Sequence, residues 1–535
     1  MVVSKAKNKS SKQSPEFNLD TILYKYYWLI IPVLALVYYV YSFISTGFYT
    51  DDEIVHFLNM RDFWTNPGII IGNWPKPGWK IFMTVPSLAG YNFVLFFNSL
   101  IASATVYFTI LLARKYEFRN TFVLIFLLGL QPTFWELSFR SYAEIFTGLI
   151  IVLMCYLFVI KKYKYSMLLS GYLFLLRQET ALIIIVLIVY LFYKKEYYAV
   201  LYALIFPVLL QIIGTITYNG NYLWMIEDIT KLKGMDFNTG TDRGFFFYFS
   251  NYIFIIGPAA IAFLIAGYFS FFGKNINKSS YFKKYDIIYI VFTGFFLTQC
   301  YLVWQGTNAG LLRYMLPASP LAAIFALIGI NNLIKTEYKN LNLGIFSAVS
   351  VITLLFLSKE TNGWFMTEQT EHVKFFIVLI ITITFLVTVY LKKSASLKAI
   401  YIVTIVLSIF YVYHKVQPLK LSNELVAVKD VTHWYTSSEF KDRPLLYSHT
   451  AIPFYLYNEK TDKKNKIYMT LEELKKAPAG SICIWDSHYS YNPRYENRNT
   501  NYTFFQNNSN YKLIKDFNSN DKNFKAFVFE KITDN

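Results

Sequence analysis

The sequence predicts an all-α polytopic membrane protein of about 13 transmembrane helices, followed by a small extracytoplasmic α/β domain. Apolar runs long enough to cross a bilayer, about 20 residues each, recur between Tyr26 and His414. Of the 535 residues, 55% are hydrophobic and only 16% are charged, too few charges for the surface of a soluble protein of this length. The long apolar runs stop near Gln417, where polar residues become frequent.

The formal net charge of +17 reflects membrane topology rather than nucleic-acid binding. Basic residues form short clusters between the apolar runs, at Arg114-Lys115, Lys161-Lys162, Lys194-Lys195, Lys283-Lys284 and Lys392-Lys393. Lys and Arg accumulate in cytoplasmic loops, so these clusters indicate the cytosolic turns. Because no basic stripe lies on a soluble segment, nucleic acid is excluded as a partner.

This charge pattern divides the chain into three parts. A polar, basic tail (1–25) is predicted to be cytosolic and to lead into an uncleaved first helix, since no convincing cleavage site follows it. A transmembrane part (26–416) carries a large outer loop (49–87), and its eighth helix is predicted as one span from Phe245 to Phe272. An odd number of spans places the C-terminal part outside, and the Lys-, Asn- and Ile-rich composition favours a bacterial plasma membrane.

The C-terminal part (417–535) is predicted to be a small α/β domain. Short β-like runs alternate with helical stretches, and Thr470 and Glu473 have the spacing of a helix capping box. We expect a structural cap or an acceptor-side platform rather than a separate catalytic activity. The three cysteines have neither disulfide nor metal-ligand spacing.

Asp51, Asp52 and Glu53 follow the first apolar run directly. Adjacent carboxylates near a membrane surface repel one another and are costly to desolvate, so the cluster is a candidate functional site. On a helix that starts here, Asp52 and His56 share one face, and a carboxylate in this position can act as a general base towards a hydroxyl. The alternative is a solvated helix N-terminus, where acidic residues are favoured.

The same outer loop continues as NWPKPGWK, in which two prolines hold the backbone around Lys76 extended. Lys76 can pair with a phosphate or an anionic headgroup, or simply contact lipid as a basic surface residue. Within the later outer loop 219–244, the stretch Trp224–Arg243 carries several acidic residues and two glycines, consistent with a mobile lid.

Charged residues at three other outer turns complete the candidate site. They are Arg140 and Glu144 in FRSYAE, Arg177 and Glu179 in LLRQET, and Arg313 with Tyr314 in LLRYM. Arg140 and Glu144 are four residues apart and can pair with each other. Guanidinium groups bind phosphate oxygens in a bidentate way, so arginines opposite one acidic loop suit a lipid-linked phosphate.

Five segments resemble motifs of the GT-C superfamily of membrane glycosyltransferases, close to protein O-mannosyltransferases and aminoarabinose-type lipid A transferases. DDEIVHF is similar to the Asp-Glu motif of their first loop, although Asp51 is an extra acid. WPKPGW resembles their Lys-Pro-Pro stretch, with glycine replacing a proline. LLRQET resembles an Arg-Pro-Glu turn with Gln178 for proline, and FRSYAE and RYMLPASPLAAI resemble two further motifs. The resemblance extends through the tenth span.

The resemblance implies transfer of a sugar, such as a hexose, from a polyprenyl phosphate to an acceptor hydroxyl with inversion. Asp52 would be the general base, with Asp51 or Glu53 orienting it or the acceptor. Arg140, Arg177, Arg313 and Lys76 would hold the leaving phosphate, and His56, Glu144, Glu179 and Tyr314 complete the expected substrate site. No cofactor is required, although Asp51, Asp52 and Glu53 offer oxygen ligands for a divalent cation. The acceptor can be glycan, lipid or protein.

Three other function classes remain open. A flippase or transporter of lipid-linked glycans would place ionisable residues at mid-membrane in paired halves, whereas the charges here lie at helix ends. A polysaccharide polymerase or ligase that uses diphosphate-linked glycans would also favour outer arginines. A non-enzymatic scaffold leaves the acidic loop unexplained.

Overall fold

The computed structural model describes residues 24–72, 74–234, 243–270, 280–332, 339–357, 372–391, 394–458, 466–493 and 498–534. The predicted cytosolic tail (1–25) lies almost wholly outside these ranges. The middle of the loop predicted as a lid, with Asp236 and Asp242, also lies outside them.

A helical bundle occupies the chain from Tyr24 to Lys415. Its helices are α1 (Ile30–Ile44, after a 3-10 turn at Tyr24–Leu29), α2 (Asp52–Asp62), α3 (Pro77–Leu88), α4 (Tyr91–Lys115), α5 (Leu124–Gly129), α6 (Pro132–Leu137), α7 (Glu144–Val159), α8 (Tyr163–Leu176), α9 (Ala181–Tyr193), α10 (Tyr197–Thr217), α11 (Trp224–Gly234), α12 (Phe247–Ile256), α13 (Ile261–Phe269), α14 (Ser280–Trp304), α15 (Ser319–Asn332), α16 (Lys339–Leu357), α17 (His372–Leu391) and α18 (Ser394–Lys415). Lys161 and Lys195 end α7 and α9 with left-handed backbone (φ 61° and 63°), a common way to terminate a helix.

Length and apolar composition make this an integral multi-pass membrane protein. Within the described ranges, seven helices are long and apolar enough to span a bilayer, and the number rises to eight if the bent pair α12–α13 counts as one span. Other apolar helices are shorter, among them α7 (Glu144–Val159). The count of about 13 spans stays a prediction.

Within the described residues 243–270, the apolar run predicted as one span from Phe245 to Phe272 is not one continuous helix. The chain bends by 120° between α12 and α13. Gly257 adopts a positive φ of 88° at the bend, a conformation that favours glycine. Pro258 follows and has no N–H to continue the helical hydrogen bonds. The Gly-Pro pair therefore divides the apolar run into two short helices.

Helices α13 and α15 pack so closely that their backbones touch. A Cβ atom at Gly267 would overlap the carbonyl oxygen of Phe325, and one at Gly329 would overlap that of Phe263. Small residues allow this close approach between membrane helices. By contrast, Gly344 on α16 has open space around it.

The variant Gly267→Ala is expected to destabilise the bundle by about 1–3 kcal/mol, because the added methyl group forces α13 away from α15. Gly344→Ala is the matched control and should leave stability unchanged or slightly raised. Thermal unfolding of the purified variants in detergent measures both. Equal melting temperatures for Gly267→Ala and the control would contradict this packing.

The C-terminal part is a small α/β unit, as predicted. Its five-stranded sheet has the order β2-β1-β3-β5-β4, with β1 parallel to β2 and β3, and β5 antiparallel to β3 and β4. The strands are β1 (Leu445–Tyr447), β2 (Lys466–Tyr468), β3 (Ile482–Asp486), β4 (Tyr511–Asn518) and β5 (Lys525–Lys531); the helices are α19 (Asn423–Ser437), α20 (Ile452–Asn458), α21 (Leu471–Lys476) and α22 (Tyr502–Gln506). Thr470 caps α21 by accepting from the Glu473 N–H at 3.2 Å.

This unit packs on the end of the bundle that carries α2. The N–H of Gly47 donates to Leu419 O at 2.8 Å, and the N–H of Leu419 donates to Ser45 Oγ at 3.0 Å. The Phe454 ring of α20 contacts the Phe48 and Tyr91 rings edge-on, with centroids 5.4 and 5.2 Å away. The C-terminal unit therefore lies beside the acidic residues that precede and begin α2.

Candidate active site

The three successive carboxylates at the start of α2 point to three different partners. Asp51 accepts a hydrogen bond from the Tyr489 hydroxyl of the C-terminal unit. Asp52 accepts one from Arg313 Nη2 at 2.8 Å. Glu53 faces Arg140. This divergence keeps the like charges apart, and it means that these carboxylates do not converge on one common metal position.

Glu53 and Arg140 form a buried ion pair with 1% and 2% of their side chains exposed and a separation of 3.2 Å. Glu53 also accepts from Tyr91 Oη (2.7 Å) and from the N–H groups of Tyr49 (3.0 Å) and Ser141 (3.2 Å). The other Arg140 donors are used by Gly47 O (2.7 Å), Ser45 Oγ (2.8 Å) and Glu136 O (3.1 Å). All three nitrogen atoms of this arginine, through four of their five N–H groups, thus hydrogen-bond to the protein, so Arg140 holds the structure around Glu53 together.

The expected pairing of Arg140 with Glu144 is wrong. The chain between α6 and α7 is not helical, so these two residues do not share a helix face. Arg140 turns to Glu53, and Glu144 turns to Arg177 and Arg313 instead.

Replacing Glu53 by alanine should destabilise the protein by about 3–5 kcal/mol, because Arg140 would remain as an uncompensated buried charge. Glu472→Ala is the control: its carboxylate pairs with Lys476 at 2.6 Å on the exposed surface, and its loss should not change stability measurably. Thermal unfolding in detergent compares the two. A Glu53→Ala protein as stable as the control would refute this structural role.

Arg313 connects two acids at the start of the segment that leads into α15. Its Nη2 binds Asp52, and its Nε lies 3.5 Å from Glu144 Oε1, without hydrogen-bond geometry. The guanidinium lies 4.7 Å from the centroid of the Tyr142 ring. Its Nε and Nη1 atoms are buried and have no hydrogen-bond partner within the described residues. Buried donors without partners are costly, so this side of Arg313 is suited to a bound anion.

Arg177 extends the same row of alternating charges. It binds Glu179 at 2.6 Å and Glu144 at 3.4 Å, and it lies 4.8 Å from the centroid of the Tyr314 ring. Both amide atoms of Gln178, where the resembling motif has proline, are buried without a hydrogen-bond partner in the described part of the chain. The row thus runs from Asp52 through Arg313, Glu144 and Arg177 to Glu179.

Lys76 lies at the N-terminus of α3 with left-handed backbone (φ 59°). The expectation of extended backbone at this residue is therefore wrong; Lys76 follows a turn, and Pro77 is the first residue of α3. The residue as a whole is partly exposed. Among the described residues, its electrostatic neighbours are Glu179, Arg177, Glu144 and Asp228, and it has no hydrogen bond or ion pair. Lys76 is available to a ligand.

Lys80, one helical turn further along α3, is a site residue that the sequence reasoning missed. Its side chain is fully buried, 5.0 Å from the centroid of the Trp74 ring, and it reaches the Asn59 amide oxygen at 2.9 Å once that amide is correctly oriented. Burial, and then the charge of Lys76, hold the pKa of Lys80 well below its usual range. Its spacing of four residues from Lys76 on α3 was the available signal.

His56 lies between these lysines and Arg313. Its ring stacks on Trp74 with centroids 4.8 Å apart, and its buried Nδ1 has no partner within the described ranges. Burial, followed by the charges of Lys80, Arg313 and Lys76, lowers the pKa of His56 well below its usual value. The imidazole is therefore neutral, and its free nitrogen is another polar atom available to a ligand.

A second polar cluster lies in the C-terminal unit, where Glu424, His449 and His488 have metal-ligand spacing. Glu424 Oε1 lies 2.9 Å from His449 Nε2 and 2.6 Å from His488 Nδ1. His449 Nδ1 accepts the Ala451 N–H at 3.1 Å, so Nε2 carries the ring proton in neutral His449. A metal-bound histidine normally donates through its other nitrogen. We therefore interpret this cluster as a hydrogen-bond network.

The architecture and the site together define a fold class: a helical membrane bundle whose acidic loop follows the first helix and which carries a C-terminal α/β unit. This architecture has counterparts among solved structures. Two similar solved structures are crystal structures of ArnT, an aminoarabinose transferase from Cupriavidus metallidurans, one bound to undecaprenyl phosphate and one in the apo state.

The likeness to ArnT extends over nearly the whole of both proteins. The TM-scores are 0.58 and 0.57, the identity is 11% in both cases, and 94% and 95% of this chain and 98% of each ArnT chain are covered. No protein-family model matches the sequence, and no curated protein sequence matches it. The shared fold is thus recognised in three dimensions.

Proposed function

We propose that this protein is a membrane glycosyltransferase that transfers a sugar from a polyprenyl phosphate to an acceptor hydroxyl. The observation that carries the proposal is Arg313, which holds Asp52 with one nitrogen and has two further buried donor atoms that make no hydrogen bond within the described residues. Such an arginine can bind the catalytic base and the leaving phosphate at the same time and fix their positions relative to each other. The ArnT structure bound to undecaprenyl phosphate supports a lipid phosphate as ligand for this fold.

In the proposed reaction, Asp52 accepts the proton of the acceptor hydroxyl while that oxygen attacks the anomeric carbon. The bond from this carbon to the phosphate oxygen breaks, and its electron pair leaves with the polyprenyl phosphate. Attack opposite the leaving group inverts the anomeric configuration. Asp52 suits the role because its side chain is 37% exposed, whereas the Glu53 carboxylate is buried and fully hydrogen-bonded.

The charges of the site favour a monophosphate donor over the diphosphate-linked glycan of a polymerase or ligase. Among the described residues, three cations, Lys76, Arg177 and Arg313, stand against Asp52, Glu144 and Glu179, and Asp228 is a further acid near Lys76. Lys80 adds one positive charge when an anion raises its pKa by proximity. A site whose cations so little outweigh its acids suits the single negative charge of a phosphodiester better than the higher charge of a diphosphate.

The remaining features follow from the motifs of the chain and from its charge pattern. We propose a hexose such as mannose as the transferred sugar, and a glycan, lipid or protein hydroxyl as the acceptor. The site would lie on the extracytoplasmic face of a bacterial plasma membrane, with the N-terminus cytosolic. Fixed cations would neutralise the leaving phosphate, so no metal would be needed, because Arg and Lys can supply that charge.

Purified protein with a radiolabelled polyprenyl-phosphate hexose is expected to transfer sugar in the presence of EDTA. Asp52→Asn should lower turnover by about 10²- to 10⁴-fold, the usual contribution of a general base. Asp430→Asn, an exposed acid on α19, is the control and should transfer at the wild-type rate. Radiolabelled product, separated from donor lipid, is the measurement.

Equal transfer by Asp52→Asn and wild type would exclude Asp52 as the base and make Asp51 the candidate. Loss of transfer in EDTA that returns with a divalent cation would show that the reaction needs a metal. No consumption of any donor, across several sugars and acceptors, would favour the flippase or polymerase alternative.

Lys80→Met is expected to weaken the binding of undecaprenyl phosphate about tenfold, the effect of losing one hydrogen bond to a charged group. Lys512→Met, on the exposed side of β4, is the matched control. Equilibrium binding of labelled undecaprenyl phosphate to protein in lipid nanodiscs measures both. Equal dissociation constants for the two variants would remove Lys80 from the phosphate site.

A further inference from the structure

The loop after β3, Asp486–Ser490, is rigidly held against the acidic start of α2. The buried Asp486 carboxylate accepts the N–H groups of His488 (3.0 Å) and Tyr489 (2.6 Å). Ser490 Oγ accepts the Asp486 N–H at 2.8 Å. Because the buried Asp486 carboxylate hydrogen-bonds the backbone of the loop, it fixes the position of the loop tip.

The tip of this loop, Tyr489, is fixed from both sides. Its ring lies 4.8 Å from the His449 ring, and the Arg498 guanidinium lies 4.5 Å from its centroid. The neighbouring His488 is anchored on Glu424 at 2.6 Å. The Tyr489 hydroxyl is thereby pointed at Asp51, to which it donates a hydrogen bond.

The position of Asp51 matters because it directly precedes Asp52, which binds Arg313. Without the Tyr489 hydroxyl, a second carboxylate would be free to turn towards the cations at Lys76, Lys80 and Arg313. It would then add a negative charge beside these cations and compete with a phosphate for the same donors.

We propose that Tyr489 is a positioning residue of the donor site: its hydroxyl holds Asp51 away from the cations and so keeps them free for the lipid phosphate. Through the contact between Tyr489 and Asp51, the C-terminal unit sets the net charge of the site at which the lipid phosphate binds. This inference rests on the proposed function, because it assumes that the cations bind a polyprenyl phosphate.

The test compares the binding of labelled undecaprenyl phosphate in nanodiscs for wild type, Tyr489→Phe, Asp51→Asn and the double variant. Tyr489→Phe is expected to bind undecaprenyl phosphate about five- to tenfold more weakly. The variant removes one hydrogen bond to the charged Asp51, and the freed carboxylate then competes with the phosphate. Asp51→Asn removes the competing charge and should bind at least as tightly as wild type. The double variant should bind like Asp51→Asn, because the hydroxyl then has no carboxylate to hold.

Tyr491→Phe is the matched control, since Tyr491 is an exposed tyrosine two residues further along the chain, and it should bind like wild type. Restored binding in the double variant separates positioning from a structural role, because a damaged loop would not be repaired by Asp51→Asn.

Wild-type affinity in Tyr489→Phe, or a double variant as weak as Tyr489→Phe, would overturn the inference. If wild type itself binds no undecaprenyl phosphate, the proposed function fails and this inference fails with it.

Discussion

The ion pair between Glu53 and Arg140 is the interaction on which the site depends. It joins the end of α1, the start of α2 and the turn before α7 through Ser45, Gly47 and Ser141. A buried pair of this kind adds little net stability but is costly to break, so its main effect is to fix geometry. With Glu53 committed, the preceding turn of chain can place Asp52 against Arg313 and Asp51 against the C-terminal unit.

The row of alternating charges from Asp52 to Glu179 explains how so many ionisable groups tolerate burial together. Each arginine in the row lies between two carboxylates, and Glu144 lies between the two arginines. Because these partners are fixed before any substrate arrives, little reorganisation is needed when charge develops on a leaving group. The donor atoms left over on Arg313 are what distinguish this row from a purely structural network.

The sequence revealed the fold class and the charged outer turns, because apolar length, basic turns and local motifs are all short-range signals. Asp52, Arg177 and Arg313 were identifiable for the same reason. The binding of Arg140 within the protein was not identifiable, since its partners Ser45 and Glu53 are about ninety residues away in the chain. The helix break after Ile256 was detectable in the sequence from the helix-breaking pair Gly257-Pro258. The apolar run continues on both sides of this pair, and for that reason the segment was predicted as one span. Tyr489 had no such signal, since only tertiary structure brings it to Asp51.

The contact between Asp51 and Tyr489 spans 438 positions of the chain, which has a consequence for biosynthesis. The membrane helices and the acidic loop leave the ribosome long before β3 and its loop are made. The membrane helices of the nascent protein therefore insert before Tyr489 is made. The hydrogen bond between Tyr489 and Asp51 forms only in the last stage of translation. A chain that stalls before β3 would be a fully inserted bundle whose first acid lacks its partner.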